Sequence, residues 1–125
     1  MKQHFFSMLL LISFAACSQT PAGKYQDAGN DFFAAQMKKE NTVILDVRTP
    51  EEYAAGHIPH AVLMNYNAPG FASALDTLNK NKTYLVYCAS GGRSAKASSM
   101  MAEKGFKEIY NLEGGFSRWN GAKEK

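Results

Sequence analysis

Cysteine and histidine are scarce in this chain of 125 residues, which has two cysteines and three histidines. Cys17 and Cys88 form no Cys-x-x-Cys pair, and no histidine lies at metal-ligand spacing from a group of carboxylates. These absences argue against a zinc site and against the disulfide framework of a small secreted domain. We therefore expect neither a metal nor a cofactor.

A strong excess of one charge sign is also missing. Fourteen lysines and arginines against eleven acids give a formal net charge of +3. Removal of residues 1–16 would take away only Lys2 among the charged residues, which leaves 13 basic side chains against 11 acids, a net charge of +2. A charge this small does not argue for a nucleic-acid partner or for binding to anionic lipid by charge alone.

The N-terminal apolar run, residues 5–16, is too short to span a bilayer as a helix. It follows Lys2 and ends with two alanines before Cys17, a pattern typical of a cleaved secretory signal. A buried helix of the fold fits less well, because the run is continuously apolar rather than periodic. The segment "FAAC" further resembles the lipobox of bacterial lipoproteins, with Phe14 where leucine is usual.

This resemblance implies a signal peptide at 1–16, a lipid on Cys17 and a tether at 17–24, followed by a domain at 25–121 and a tail at 122–125. The protein would then be exported to the bacterial cell envelope and anchored to a membrane. Simple cleavage of the signal, which leaves a periplasmic protein, is the alternative. In either case Cys88 has no intramolecular partner, so its thiol is either inert and buried or reactive.

Beyond the tether, short apolar runs alternate with helical segments. The apolar runs are Thr42–Val47, Ala61–Asn65, Thr83–Cys88 and Glu108–Leu112. One helix is expected after Asn30 or Asp31 as N-cap, and a second after Thr49, with Gly56 as its stop. Two more are expected around Phe71–Leu78 and from Arg93 to Gly105. Such alternation predicts parallel strands joined by crossovers, and hence a three-layer α/β domain.

The segment "CASGGRS" follows one of these strands and precedes a helix. In parallel sheets, ligands bind beyond the carboxyl ends of strands, where Asp46 and Cys88 both lie. Two glycines, 91–92, can adopt positive φ and aim backbone N–H groups at one point. The helix N-terminus and Arg93 add positive charge, and Ser90 and Ser94 add hydroxyl donors. These groups favour a thiolate at Cys88, which would be nucleophilic. The alternative is that Cys88 is a buried structural thiol beside a tight turn.

Four segments together resemble the rhodanese-like sulfurtransferases. They are "ILDVR", "EEYAAGHIPHAV", "YCASGGRSAKA" and "LEGGFSRWNGA", and they occur in the family's order between about Tyr25 and Gly121. The resemblance implies an α/β domain with a five-stranded, mainly parallel sheet flanked by helices. The first strand would lie in "KYQDA".

The resemblance also implies an activity. Cys88 would take a sulfane sulfur from a donor such as thiosulfate and pass it, as a persulfide, to cyanide or a thiol, with no protein acceptor identified. The active loop would comprise Ala89, Ser90, Gly91, Gly92, Arg93 and Ser94, with Arg93 holding the anionic donor. Asp46 and Arg48 would support the loop, either as an ion pair or through backbone contacts. His57 and His60 lie in a segment where the family's histidine is structural.

Two other functions use similar sequences. Phosphatases and arsenate reductases with a related loop have five residues between cysteine and arginine, whereas four separate Cys88 from Arg93. The shorter spacing favours a tighter loop suited to one sulfur atom. Rhodanese-like domains that lack the cysteine act as binding or regulatory modules, and the presence of Cys88 and Arg93 argues against that function here.

Overall fold

The computed structural model describes residues 24–125, so the predicted signal peptide and Cys17 lie outside the described residues. The strands are β1 (Gln26–Ala28), β2 (Thr42–Asp46), β3 (Val62–Leu63), β4 (Thr83–Tyr87) and β5 (Glu108–Leu112). The helices are α1 (Asn30–Met37), α2 (Pro50–Ala55), α3 (Phe71–Leu75) and α4 (Gly92–Glu103), with a 3₁₀ turn at Phe116–Arg118. Within residues 24–125, no helix is long and apolar enough to cross a membrane.

The five strands form one sheet in the order β1-β5-β4-β2-β3. Every pairing is parallel, and β2 aligns with β4 from Thr42 opposite Thr83 to Asp46 opposite Tyr87. The α/β fold with a five-stranded sheet is therefore confirmed. The interior strands β2 and β4 consist mainly of β-branched and apolar residues, as expected for strands covered on both faces.

Helices cover both faces of the sheet. One face packs Leu45 and Val86 against α3 and α4, and Cys88 belongs to this cluster. The opposite face packs Leu85 and Tyr87 against side chains that include Phe33 of α1. Because side chains alternate along a strand, Cys88 and its neighbour Tyr87 point to opposite faces.

Two expectations about helix ends are wrong. The N-cap of α1 is Gly29 and not Asn30 or Asp31, and no side chain caps this helix. The Asn30 amide instead donates to the carbonyl of Arg118 at 2.8 Å, a contact between segments far apart in sequence. Helix α4 begins at Gly92, one residue before Arg93, so Gly92 has helical φ rather than the positive φ expected of it.

The residues after Trp119 fold back onto the domain. The Trp119 indole donates to the carbonyl of Ala122 at 3.0 Å. Farther on, His57 and Glu124 exchange two backbone hydrogen bonds of 2.8 and 2.9 Å as an antiparallel bridge. Trp119 itself is buried, as predicted from sequence. This strap fastens residues 122–124 beside the segment that follows α2.

Candidate active site

Cys88 lies directly after β4, at the carboxyl edge of the sheet. The residue is only 1% exposed, whereas Ser90 and Gly92 of the following loop are exposed. The sulfur therefore lies beneath an exposed rim of main chain. Only a small reagent, or one that presents a single protruding atom, can approach it without displacing the loop.

Gly91 aims a backbone donor at this sulfur. Its N–H donates to Cys88 Sγ at 3.1 Å. Gly91 is also the N-cap of α4, with φ +106°, a conformation that a residue with a side chain rarely adopts. Because its carbonyl accepts from the N–H of Ala95 at 3.0 Å, the same residue starts the helix and points at the thiol.

Ser94 supplies a side-chain donor from the first turn of α4. Its hydroxyl lies 3.3 Å from Cys88 Sγ and 3.2 Å from the carbonyl of Gly91, so its single proton has two possible acceptors. Ionisation of Cys88 would draw that proton to sulfur, since charged acceptors bind more strongly. The N-terminus of the 12-residue helix adds partial positive charge nearby.

These donors decide the acidity of the thiol. Burial on its own raises the pKa of Cys88, because the thiolate loses hydration. Hydrogen bonds from the Ser94 hydroxyl and from the N–H groups of Ser94, Gly91 and Ser90 act in the opposite direction. Their combined effect is larger, so the pKa of Cys88 is lowered from its ordinary value. The loop therefore favours the nucleophilic form of the residue.

The turn after β5 holds the loop from outside. Phe116 donates its N–H to the carbonyl of Cys88 at 2.8 Å, and Ser117 donates its N–H and hydroxyl to the carbonyl of Ala89 at 2.9 and 2.7 Å. Gly115 makes this approach possible. A Cβ atom there would lie 2.5–2.6 Å from the main chain of Ala89 and Cys88, and its φ is +59°.

Asp46 and Arg48 form a buried ion pair, and both predicted contacts of Asp46, with the Arg48 side chain and with a backbone N–H, are present. The Arg48 guanidinium donates to both Asp46 oxygens at 2.8–3.2 Å, and its N–H donates to Asp46 as well. The Tyr87 hydroxyl donates to Asp46 at 2.5 Å and accepts the N–H of Ile58 at 3.1 Å. Since Tyr87 lies opposite Cys88 across the sheet, this pair is behind the loop and does not contact the sulfur.

Phe116 connects that pair with the loop. The Arg48 guanidinium carbon lies 4.3 Å from the centre of the Phe116 ring, within cation–π distance. The N–H of Phe116 donates to the carbonyl of Cys88 at 2.8 Å. The ion pair of Asp46 and Arg48 thus positions the turn after β5, and that turn positions the active loop.

The Arg93 guanidinium hydrogen-bonds a carboxylate, and its charge also interacts favourably with that of Cys88. Its two terminal nitrogens donate to the two Glu52 oxygens at 2.8 and 3.0 Å. Glu52 is the third residue of α2 and belongs to a capping box with Thr49. The hydrogen bonds from Arg93 lower the pKa of Glu52 to about 2, against an opposing effect of burial and with help from the Thr49 N–H.

The two histidines are not close partners of the thiol. His57 is buried, with Nδ1 2.8 Å from the carbonyl of Tyr53, which requires that Nδ1 carry the proton. Its Nε2 lies 3.3 Å from a Glu124 oxygen, and its ring stacks on Tyr53. His60 is exposed. Among the described residues, no group of three or more His, Cys, Asp or Glu side chains could hold a metal ion.

Three contributors escaped the sequence-based interpretation: Glu52, Tyr87 and Phe116. The motif "TPEE" marks Glu52 as a capping-box residue, and this signal was available. Nothing in the sequence indicates that its carboxylate also binds Arg93. Tyr87 and Phe116 resemble ordinary packing residues until the strand register and the turn are known.

Comparison with known proteins agrees with this geometry. Residues 30–122 match the rhodanese-like domain family. Thiosulfate sulfurtransferase GlpE of Pseudoalteromonas translucida is 36% identical over 87 residues, which cover 69% of this chain and 80% of that protein. The protein of the same name from Stutzerimonas stutzeri is also 36% identical over 87 residues, covering 69% and 77% of the two chains.

Solved structures show the same fold. The crystal structure of a rhodanese-like domain protein from Staphylococcus aureus superposes with a TM-score of 0.67 at 33% identity. The superposition covers 76% of this chain and 91% of that one. The matched family segment contains the whole Cys88 loop, both strands that flank it and the turn that supports it. The chain therefore belongs to the rhodanese-like domain family.

Proposed function

We propose that the protein is a thiosulfate-type sulfurtransferase that carries sulfane sulfur as a persulfide on Cys88. The single observation behind this proposal is the pair of donors on Cys88 Sγ, the Gly91 N–H at 3.1 Å and the Ser94 hydroxyl at 3.3 Å. They lie at the start of a helix and beneath an exposed rim. The relatives named as thiosulfate sulfurtransferases support the same reaction class.

The reaction has two steps. The Cys88 thiolate attacks the outer sulfur of thiosulfate, the S–S bond of the donor breaks, and sulfite leaves with the bonding electrons. A cyanide ion or a thiolate then attacks the outer sulfur of the persulfide. Thiocyanate or a new persulfide leaves, and the Cys88 thiolate is restored. The loop N–H groups stabilise the anionic sulfur in each resting state.

Mass analysis of the Cys88 peptide after incubation of the full chain with thiosulfate tests the first step. We expect a gain of one sulfur atom, lost again when cyanide is added and thiocyanate forms. Cys88→Ser is the control, and an adduct that persists in this variant would contradict the proposal. Without any adduct, the function of a binding or regulatory module would be favoured. Turnover of p-nitrophenyl phosphate without sulfur transfer would favour a phosphatase.

We also propose that the chain is exported and held at the membrane of the bacterial envelope by a lipid on Cys17. The support is the apolar run at residues 5–16, whose last two residues are alanines directly before Cys17. Mass analysis of the membrane fraction should find acyl groups on an N-terminal Cys17. Cleavage without acylation would contradict the anchor but not export.

A further inference from the structure

The ion pair between Glu52 and Arg93 changes the electrostatics expected of the active loop. Arg93 is the only permanently charged cation between residues 88 and 94. Its guanidinium donates to both oxygens of Glu52, at 2.8 and 3.0 Å. The two residues are 41 positions apart, and they join the first turn of α2 to the first turn of α4.

Glu52 is not free to move aside when an anion arrives. One of its oxygens also accepts from the Thr49 hydroxyl at 3.2 Å and from the Thr49 N–H at 3.4 Å. The Thr49 hydroxyl in turn accepts the N–H of Glu52 at 3.3 Å, which completes the capping box. The carboxylate is therefore held from two sides, by the cap of its own helix and by the guanidinium.

The two charges of the pair largely cancel at a distance, so the loop lacks the net positive charge that an unpaired Arg93 would give it. A negatively charged donor gains little from Arg93 under these conditions. The attraction that Glu52 cancels would grow in proportion to the charge of the donor, so a dianion loses twice as much favourable free energy as a monoanion. Thiosulfate is a dianion at neutral pH.

We propose that Glu52 is a selectivity-determining residue of the Cys88 site: because it neutralises Arg93, it shifts the preference of the site from inorganic dianions toward monoanionic sulfane-sulfur donors. The favoured class comprises organic thiosulfonates and the persulfides of thiols. This inference depends on the proposed sulfur transfer and specifies its donor. Glu52 is a positioning residue, because it acts on the site through the charge and the position of Arg93.

Both donor classes undergo the same chemistry at Cys88. With methanethiosulfonate, the thiolate attacks the terminal sulfur, the S–S bond breaks, and methanesulfinate leaves with the electron pair. With thiosulfate, the leaving group is sulfite. The two reagents thus differ by one unit of charge and by a methyl group in place of an oxygen, which makes them a matched pair of probes.

The test compares kcat/KM for the two donors, with cyanide as acceptor, in the wild type and in Glu52→Gln. Glutamine keeps the capping box and the size of the side chain but removes the charge. A unit charge that acts over an assumed distance of roughly 6 Å with bulk-water screening changes kcat/KM ~3-fold for a monoanion and ~10-fold for a dianion, so we expect gains of this order with methanethiosulfonate and thiosulfate. Both gains should shrink as the salt concentration is raised.

Two further variants separate charge from structure. Glu52→Asp keeps the charge but is too short to hold Arg93 in the same way, so it should retain the wild-type ratio between donors. Glu51→Gln removes the same charge from the exposed neighbouring residue and should change the ratio by less than about 2-fold. The inference would be overturned if Glu52→Gln raised kcat/KM equally for both donors. It would also be overturned if the ratio of kcat/KM between the two donors were the same in Glu52→Asp as in Glu52→Gln. Neither result would contradict sulfur transfer itself. Absence of transfer from either donor in the wild type would instead overturn the proposed function.

Discussion

Replacing Ser94 with alanine removes the hydroxyl that lies 3.3 Å from Cys88 Sγ and leaves the Gly91 N–H at 3.1 Å in place. Ser94 is fully buried on α4, where alanine fits the space and has the higher helix propensity. The variant should therefore fold. The lost hydrogen bond favours the thiolate, so we expect the pKa of Cys88 to rise.

The geometry sets the size of this effect. A hydrogen bond to a charged group contributes about 1.5–3 kcal/mol. The long distance and the competing carbonyl of Gly91 at 3.2 Å place Ser94 at the lower end of that range. A loss of ~1.5 kcal/mol lowers the thiolate fraction of Cys88 about tenfold at pH values below its pKa. A more basic thiolate is more nucleophilic, with a Brønsted slope of about 0.4–0.5, so alkylation should slow only about threefold.

The assay is the rate of alkylation of the Cys88 peptide by iodoacetamide as a function of pH, followed by mass spectrometry. At low pH the variant should react about threefold more slowly, and at high pH, where both thiols are ionised, about threefold faster. The two profiles must therefore cross. Ser99→Ala, a matched deletion on the same helix, should follow the wild type. A Ser94→Ala profile that coincides with the wild type, or lies above it at low pH, would refute the role of the hydroxyl.

Three other outcomes follow from the described contacts. Gly115→Ala places a Cβ atom about 2.5 Å from the main chain of the active loop and should reduce sulfur transfer at least tenfold, whereas Gly29→Ala, with no atom within 4 Å of the added Cβ, should not. Tyr87→Phe removes the acceptor of the buried Ile58 N–H and one of the donors to Asp46 and should cost about 1–3 kcal/mol in urea unfolding without slowing alkylation of Cys88. The pKa of Glu52 is lowered to about 2, so its ion pair stabilises the fold above pH 4.5 and loses that contribution as pH falls toward 2. The difference in unfolding free energy between wild type and Glu52→Gln should narrow over that interval, and a constant difference would contradict the pairing.

Much of the fold could be predicted because local signals agree with tertiary packing. Thr42–Asp46 and Thr83–Tyr87 each contain an uninterrupted run of β-branched and apolar residues, which is typical of strands covered on both faces. Helix α2 has a complete start signal, and its capping box forms as the sequence indicates. The start of α1 was mispredicted because Asn30 bonds to the distant carbonyl of Arg118 and not to its own helix.

The candidate site was predictable only in part. The glycines, serines and helix start of the loop are adjacent in sequence, so their convergence on Cys88 could be inferred from spacing. The partner of Arg93 could not, because Glu52 reaches it only when two helix N-termini meet at the same edge of the sheet. The hydroxyl of Tyr87 reaches Asp46 because the two residues are paired in register across neighbouring strands. Sequence patterns do not indicate which residues of neighbouring strands lie opposite each other.

The division of the site between two faces of the sheet has an evolutionary consequence. Cys88 packs with α3 and α4, whereas Asp46, Arg48 and Tyr87 hold the turn after β5 from the other side. A single substitution at position 88 would abolish the nucleophile and leave every one of those supporting contacts intact. A descendant of such a protein could therefore lose its chemistry in one step and keep a rigid, well-shaped loop available to selection for a new partner.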